Sequence, residues 1–217
     1  MTFSLAARCA TTGMMGAVVT TSSPAVGSRC LHARARVGVV ISQFWTDPRL
    51  GPRGLALLAE GCTAAHTAQA LVASTPDQDW RQFAVLAPTG RSAHHTGARV
   101  KPAMAAAHGP ESVAIGNILA SDTIPALMVK AFEASTAPFP ERLLAALDAG
   151  EAAGGEAPPL LSAALLVVHQ APFPYVDLRV DADPSPLAAL RRVWQAYAPF
   201  IDLYPCRALA PNDQPPS

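Results

Sequence analysis

MTFSLAARCATTGMMGAVVTT, residues 1–21, is the stretch that decides the fold. Two short apolar runs, residues 3–8 and 16–21, flank Ala10-Thr11-Thr12-Gly13, a pattern typical of a β-hairpin. The first strand of this hairpin is expected to begin at Thr2. The fold should therefore be built around a strand that starts among the first residues.

The remainder of the chain alternates strand patterns with helix patterns. Strands are predicted at residues 36–43, 83–86, 91–96, 113–118, 162–168 and 176–180. Helices are predicted as a pair within residues 52–72, around residues 127–132, at residues 141–149 with a stop at Gly150, and after Ser185-Pro186. Short connections favour antiparallel pairing. We therefore predict an α+β protein with one domain at residues 1–209 and a frayed tail at residues 210–217.

Composition excludes several classes of protein. Half of the 217 residues are hydrophobic, which is enough for one sizeable core. Sixteen Lys and Arg residues balance sixteen Asp and Glu residues, so no charge excess favours nucleic acid or an anionic membrane. The sequence has no apolar run near the roughly 20 residues of a membrane span, and it has no signal-peptide pattern. A cytoplasmic protein is expected.

The four cysteines are widely spaced and include no C-x-x-C pair. They are interpreted as reduced and mostly buried thiols, and two structural disulfides are the alternative.

Several stretches, in order and spacing, carry a resemblance to a known family. They are Met1-Thr2-Phe3-Ser4, Ser23-Pro24-Ala25-Val26-Gly27, Gly38-Val39-Val40 with Ser42-Gln43, Asp47-Pro48-Arg49-Leu50-Gly51-Pro52-Arg53-Gly54-Leu55, His95-Thr96-Gly97, Gly116-Asn117, Glu141-Arg142-Leu143-Leu144 and Val176-Asp177-Leu178-Arg179-Val180. Over most of its length the chain resembles the bacterial family registered as domain of unknown function 1028, whose members belong to the N-terminal-nucleophile (Ntn) hydrolases. The resemblance implies a four-layer αββα sandwich of two antiparallel sheets and, by analogy, amide hydrolysis.

Thr2 is the first catalytic candidate. Excision of Met1 would give Thr2 both a hydroxyl nucleophile and a free α-amine, whose unperturbed pKa near 8 suits it to accept the hydroxyl proton. The alternative is that Thr2 is an ordinary small residue after the start methionine.

An oxyanion formed beside Thr2 needs donors that are already oriented. Arg29, with Arg34 or Arg36 as substitutes, is the predicted cation, which departs from the lysine of proteasome-like relatives. Asn117 is the predicted amide donor. Ordinary surface charges and a turn-forming asparagine are the alternatives.

Hydroxyl and amide side chains at strand ends are predicted to bind substrate. Thr21 and Ser22 end the second strand, although ordinary turn chemistry also explains them. Ser42 and Gln43 end a buried strand, and alternation allows at most one of them to lie beside Thr2. Ser42 is favoured over Gln43, and His95 completes the predicted substrate site.

His94, His95 and His108 raise the question of a metal site. Adjacent histidines of a strand point to opposite faces, and no H-x-x-x-H or H-x-x-E-H spacing supplies further ligands. Neither a metal nor a cofactor is expected.

The favoured hypothesis is an Ntn-type amidohydrolase that acts on a small amide, or on a cyclic or acylated nitrogen compound. The alternative is a non-catalytic module for small-molecule binding or assembly on the same fold. A small-molecule substrate is the expected partner, and the sequence leaves homo-oligomer formation open.

Overall fold

The strands of the chain form two antiparallel sheets in the computed structural model, which describes residues 2–155 and 158–212. In chain order they are β1 (Thr2–Arg8), β2 (Met15–Thr21), β3 (Leu31–Arg34), β4 (Gly38–Phe44), β5 (Arg81–Leu86), β6 (Ser92–Thr96), β7 (Ala105–His108), β8 (Ser112–Asn117), β9 (Ser162–Val168) and β10 (Val176–Val180). One sheet has six strands in the order β10-β9-β2-β1-β8-β7, and the other has four in the order β3-β4-β5-β6.

Helices cover the outer face of each sheet. They are α1 (Leu50–Ala59), α2 (Ala64–Ala73), α3 (Ile124–Ala134), α4 (Phe139–Ala152), α5 (Pro186–Tyr197) and α6 (Leu203–Leu209). The first two pack on the four-stranded sheet, and α3, α4 and α5 pack on the six-stranded sheet. The order of layers is helix, sheet, sheet, helix, which confirms the predicted αββα arrangement.

Alternation along each strand divides the apolar side chains among three cores. In β1, Phe3 and Leu5 face the helices, whereas Ala6 faces the second sheet. In β4, Val39 and Ile41 face the first sheet, whereas Val40 packs under α1 and α2. The space between the sheets is therefore lined by the even residues of β1 and the odd residues of β4.

The hairpin predicted for residues 1–21 is confirmed, since β1 pairs with β2 and begins at Thr2. The predicted stop at Gly150 is wrong, because α4 continues to Ala152. A Cβ atom on Gly150 would lie 2.8 Å from Cε2 of Phe3, so this glycine allows α4 to pack closely on β1.

Among the strands and α-helices of the described residues, three were not predicted as such: β3, β7 and α6. The five last positions of the predicted tail, residues 213–217, lie outside the described residues. None of the four cysteines, all within the described part, forms a disulfide. Across residues 2–155 and 158–212, no helix combines the length and the apolar character needed to cross a bilayer.

Candidate active site

Thr2 lies at the start of β1, at the edge of the space between the sheets. Its exposed fraction is 6%. Its Cα is paired with that of Asn117 on β8, and its Oγ1 lies 3.2 Å from Thr21 Oγ1 on β2. Thr2 is thus a strand residue with polar neighbours on both sides, and its catalytic role stays a prediction.

Three buried amides meet beside Thr2, and we call Gln43, Gln82 and Asn117 the amide cluster. All three are fully buried. Gln82 Oε1 accepts hydrogen bonds from Gln43 Nε2 at 2.7 Å and from Asn117 Nδ2 at 2.9 Å. Because Gln43 and Gln82 come from the four-stranded sheet and Asn117 from the six-stranded sheet, the cluster ties the two sheets together.

The hydrogen-bond directions in the amide cluster follow from two backbone carbonyls. Gln82 Nε2 donates to the carbonyl of Gly116 at 2.9 Å, so the other end of Gln82 must be the acceptor. Gln43 therefore turns its Nε2 towards Gln82, and its contact of 3.5 Å with the carbonyl of Thr2 requires the same orientation. Its Oε1 accepts from the hydroxyl of Ser4 at 2.7 Å.

This orientation leaves one atom of the amide cluster without a partner. Asn117 uses Nδ2 for Gln82, and its buried Oδ1 has no hydrogen-bond partner among the residues that the structure describes. A buried acceptor left unpaired costs about 1–3 kcal/mol, and such atoms in native proteins call for an explanation. Asn117 therefore presents an acceptor beside Thr2, which does not match the predicted amide donor for an oxyanion.

The preference for Ser42 over Gln43 is wrong. Gln43 shares the inner face of β4 with Ile41, and it is Gln43 that reaches Thr2. Ser42 lies on the opposite face, where its hydroxyl donates to the carbonyl of Asp47 at 3.1 Å. Ser42 thus fixes the loop that leads into α1.

Arg29 holds the loop after β2. Its guanidinium donates to the carbonyls of Pro24 and Ala25 at 2.7 and 2.8 Å, and to Ser23 Oγ at 2.8 Å. These contacts give Arg29 a structural role, and its catalytic role stays a prediction.

The two substitutes proposed for Arg29 lie far from Thr2. Arg34 ends β3, and Arg36 lies in the turn that leads to β4. Both are at the opposite end of β4 from Gln43, so the prediction that either could serve Thr2 is wrong.

His95 faces away from the space between the sheets. It pairs across β5 and β6 with Phe83, whose ring centroid lies 5.2 Å from the imidazole, and its Nε2 lies 2.9 Å from the carbonyl of Gln78. Phe83 belongs to the core under α1 and α2. The structure therefore does not bring His95 to the amide cluster, because alternation places it on the other face of the sheet.

Thr21 is the predicted substrate-binding residue that contacts Thr2 most directly. Ser22 follows it at the end of β2 and is half-buried. Their binding roles stay predictions.

Sequence reasoning missed Ser4 and Gln82. The sequence carried a signal for each of them. Ser4 lies two residues after Thr2 and therefore on the same face of the strand. Gln82 lies two residues before Ala84, so it shares the face of Ala84 and Leu86, which points to the other sheet.

Two members of the amide cluster are each followed by a residue with left-handed backbone. Phe44 follows Gln43 with φ 67°, and Ile118 follows Asn117 with φ 53°. Left-handed backbone is unfavourable for such bulky side chains and persists where the surroundings enforce it, commonly at functional sites.

A second polar group lies at the edge of the space between the sheets. His94 Nδ1 on β6 is 2.8 Å from His108 Nε2 on β7, and His108 Nδ1 is 2.7 Å from Ser92 Oγ. We call His94 and His108 the histidine pair. Both side chains remain accessible to solvent, but partial desolvation lowers the pKa of each imidazole, and the neighbouring histidines lower that of His94 further. The predicted alternation is confirmed, since His94 and His95 face opposite sides.

Comparisons with known proteins identify a family and solved structures that resemble this chain. The model of a family of unknown function, DUF1028, matches residues 2–190. The crystal structure of protein SPO2555 from Silicibacter pomeroyi, of the same family, is 32% identical with a TM-score of 0.85, over 91% of this chain and 89% of that chain.

A more distant structure is Anbu (ancestral beta-subunit) from Yersinia bercovieri, at 12% identity and a TM-score of 0.40, over 93% of this chain and 97% of that one. No curated protein matches the sequence.

Proposed function

This chain belongs to the DUF1028 family, and we propose that it is an Ntn-type amidohydrolase in which Thr2 is the nucleophile. The substrate is a small amide, or a cyclic or acylated nitrogen compound. The observation that carries the proposal is the position of Thr2, which begins β1 beside an amide cluster with one unpaired acceptor.

The proposed chemistry needs a free α-amine on Thr2. Cleavage of the peptide bond that precedes Thr2 supplies it. The amine then takes the proton of the Thr2 hydroxyl, and the alkoxide oxygen attacks the carbonyl carbon of the substrate amide. The nitrogen leaves with a proton, and water hydrolyses the acyl ester to regenerate Thr2.

Asn117 Oδ1 suits the task of holding an N–H group in this site. Thr2 and Asn117 are directly opposite in an antiparallel pair, where Cβ atoms lie about 4.5–5.5 Å apart. An N–H bond of the α-amine directed at Oδ1 would turn the nitrogen lone pair towards the hydroxyl. Asn117 would then be a positioning residue, and its acceptor would be satisfied in the mature protein.

The test is covalent labelling of Thr2 together with turnover. Protein from the native producer is analysed by intact mass for loss of Met1, then treated with a β-lactone that acylates N-terminal threonine. We expect one adduct on Thr2, and at least a thousandfold loss of amide turnover in Thr2→Ala. The matched control is Thr12→Ala, an exposed threonine of the β1–β2 turn that should behave as wild type. Quantitative retention of Met1 would remove the base and contradict the mechanism.

A binding module is the second candidate, because an unpaired buried acceptor also suits a protein that only holds a ligand. A thermal-shift screen with small amides, run on wild type and Thr2→Ala, separates the two. A ligand that stabilises both proteins and is never turned over would favour binding. In either case we expect a cytoplasmic protein with a small-molecule partner, and homo-oligomer formation stays open.

A further inference from the structure

The histidine pair connects the edges of the two sheets. β6 is the last strand of the four-stranded sheet and β7 the last strand of the six-stranded sheet. Their inner faces meet at the contact of 2.8 Å between His94 Nδ1 and His108 Nε2, and both side chains are exposed. Two ligand-type nitrogens on consecutive strands are thus within reach of one ion.

The hydrogen bond between the rings brings the two nitrogens close enough to serve one ion, which would replace the shared proton and set their separation. Imidazole suits several transition metals, and among the divalent ions of the first row such a site has its greatest affinity for Cu²⁺.

We propose that His94 Nδ1 and His108 Nε2 form a binding site for one Cu²⁺ ion, whose other positions are taken by water. Rotation of the exposed His94 ring about its Cβ–Cγ bond makes room for the ion beside His108 Nε2, and the His108 ring keeps its contact with Ser92. The proton now shared between the rings moves to the other nitrogen of the ring that carries it, so no proton is lost overall.

The surroundings favour two protein ligands completed by water. Ser92 Oγ lies against His108 Nδ1 and can hold that ring in the tautomer whose Nε2 is free, a support that metal-binding histidines usually have. Glu111, in the turn between β7 and β8, is paired with Arg8 at 2.9 Å. Among the residues that the structure describes, no group of three or more His, Cys, Asp or Glu side chains could hold a metal. This site needs only two.

The test uses the full chain after removal of metals with EDTA. Cu²⁺ is titrated by calorimetry against glycine as competitor and followed by electron paramagnetic resonance. We expect one equivalent to bind with an axial spectrum split by two nitrogens. Affinity should fall at least tenfold in His94→Ala and in His108→Ala. His66→Ala, which removes an exposed histidine of α2, is the matched control and should bind as wild type.

A thermal measurement completes the test. Cu²⁺ should raise the Tm of wild type, because the ion joins two edge strands, and should not raise that of His94→Ala or of the milder His94→Gln. Equal Cu²⁺ affinity in wild type and in both alanine variants would overturn the proposal.

Discussion

The amide cluster and the histidine pair occupy the same space between the sheets, but burial makes them different kinds of site. Each member of the amide cluster is fully buried, and two backbone carbonyls decide every donor and acceptor. The histidine pair is exposed, so water or an ion can replace each of its hydrogen bonds. In the amide cluster, an unpaired buried atom therefore calls for a ligand or another explanation. In the histidine pair, the present hydrogen bonds can be exchanged for bonds to water or to an ion.

The largest effect is expected for Gln82→Met, which keeps the side-chain volume and removes the central amide of the amide cluster. Gln43 Nε2, Asn117 Nδ2 and the carbonyl of Gly116 each lose a buried partner. We expect the free energy of unfolding in urea to fall by about 3–5 kcal/mol. Gln69→Met, at an exposed position of α2, should change it by less than about 0.5 kcal/mol. Equal effects would show that the cluster does not stabilise the fold.

Asn117→Leu separates stability from the proposed function. Leucine removes the unpaired acceptor together with the donor, so stability should change by less than about 1 kcal/mol. Amide turnover should fall about a hundredfold in kcat with little change in KM, because a misplaced catalytic group costs about that factor. Asn212→Leu, in the exposed C-terminal segment, is the control. An unchanged kcat would exclude Asn117 as a positioning residue.

The same substitution in both sites measures what burial contributes. Ser4 and Ser92 each have a side-chain hydrogen bond of 2.7 Å, Ser4 within the core and Ser92 at the edge. Ser4→Ala leaves Gln43 Oε1 unpaired and should cost about 1–2 kcal/mol in urea denaturation. Ser92→Ala should cost at most about 0.5 kcal/mol. Equal losses of unfolding free energy in the two variants would show that burial does not strengthen the contribution of these hydrogen bonds.

The smallest effect concerns pH. The amide cluster has no titratable side chain, whereas partial desolvation of the two solvent-accessible imidazoles lowers the pKa of both members of the histidine pair. An unfolded imidazole has a pKa near 6.5, so the unfolded chain binds more protons at acid pH. The stabilisation by neutral imidazoles is thus complete above pH about 6.5 and is lost as pH falls through the folded pKa.

A matched pair of proteins isolates this contribution. The Tm of wild type should fall by a few degrees more than that of the variant carrying His94→Asn and His108→Asn, when measured from pH 7 to pH 5. His32, whose pKa is also lowered by burial, is present in both proteins and cancels. If the Tm of both proteins falls equally between pH 7 and pH 5, the histidine pair does not cause the loss of stability at acid pH.

Alternation was the part of the site that the sequence predicted best. It correctly separated Ser42 from Gln43 and His94 from His95. It did not say which member of each pair faces the space between the sheets. A period of two shows that neighbouring residues lie on opposite faces of a strand, but it does not show which face points to the other sheet. The preference for Ser42 failed for this reason.

Local pattern determined the first hairpin, the start of β1 at Thr2, and the paired helices, because each depends on neighbours in sequence. Only the tertiary structure decided that Gln82 is hydrogen-bonded to Gln43 and Asn117, and that the imidazole of His108 contacts that of His94. The contacts of Gln82 with Asn117 and of His94 with His108 join strands of different sheets. The stacking and twist of whole sheets bring such strands together, and no spacing along the chain encodes that arrangement.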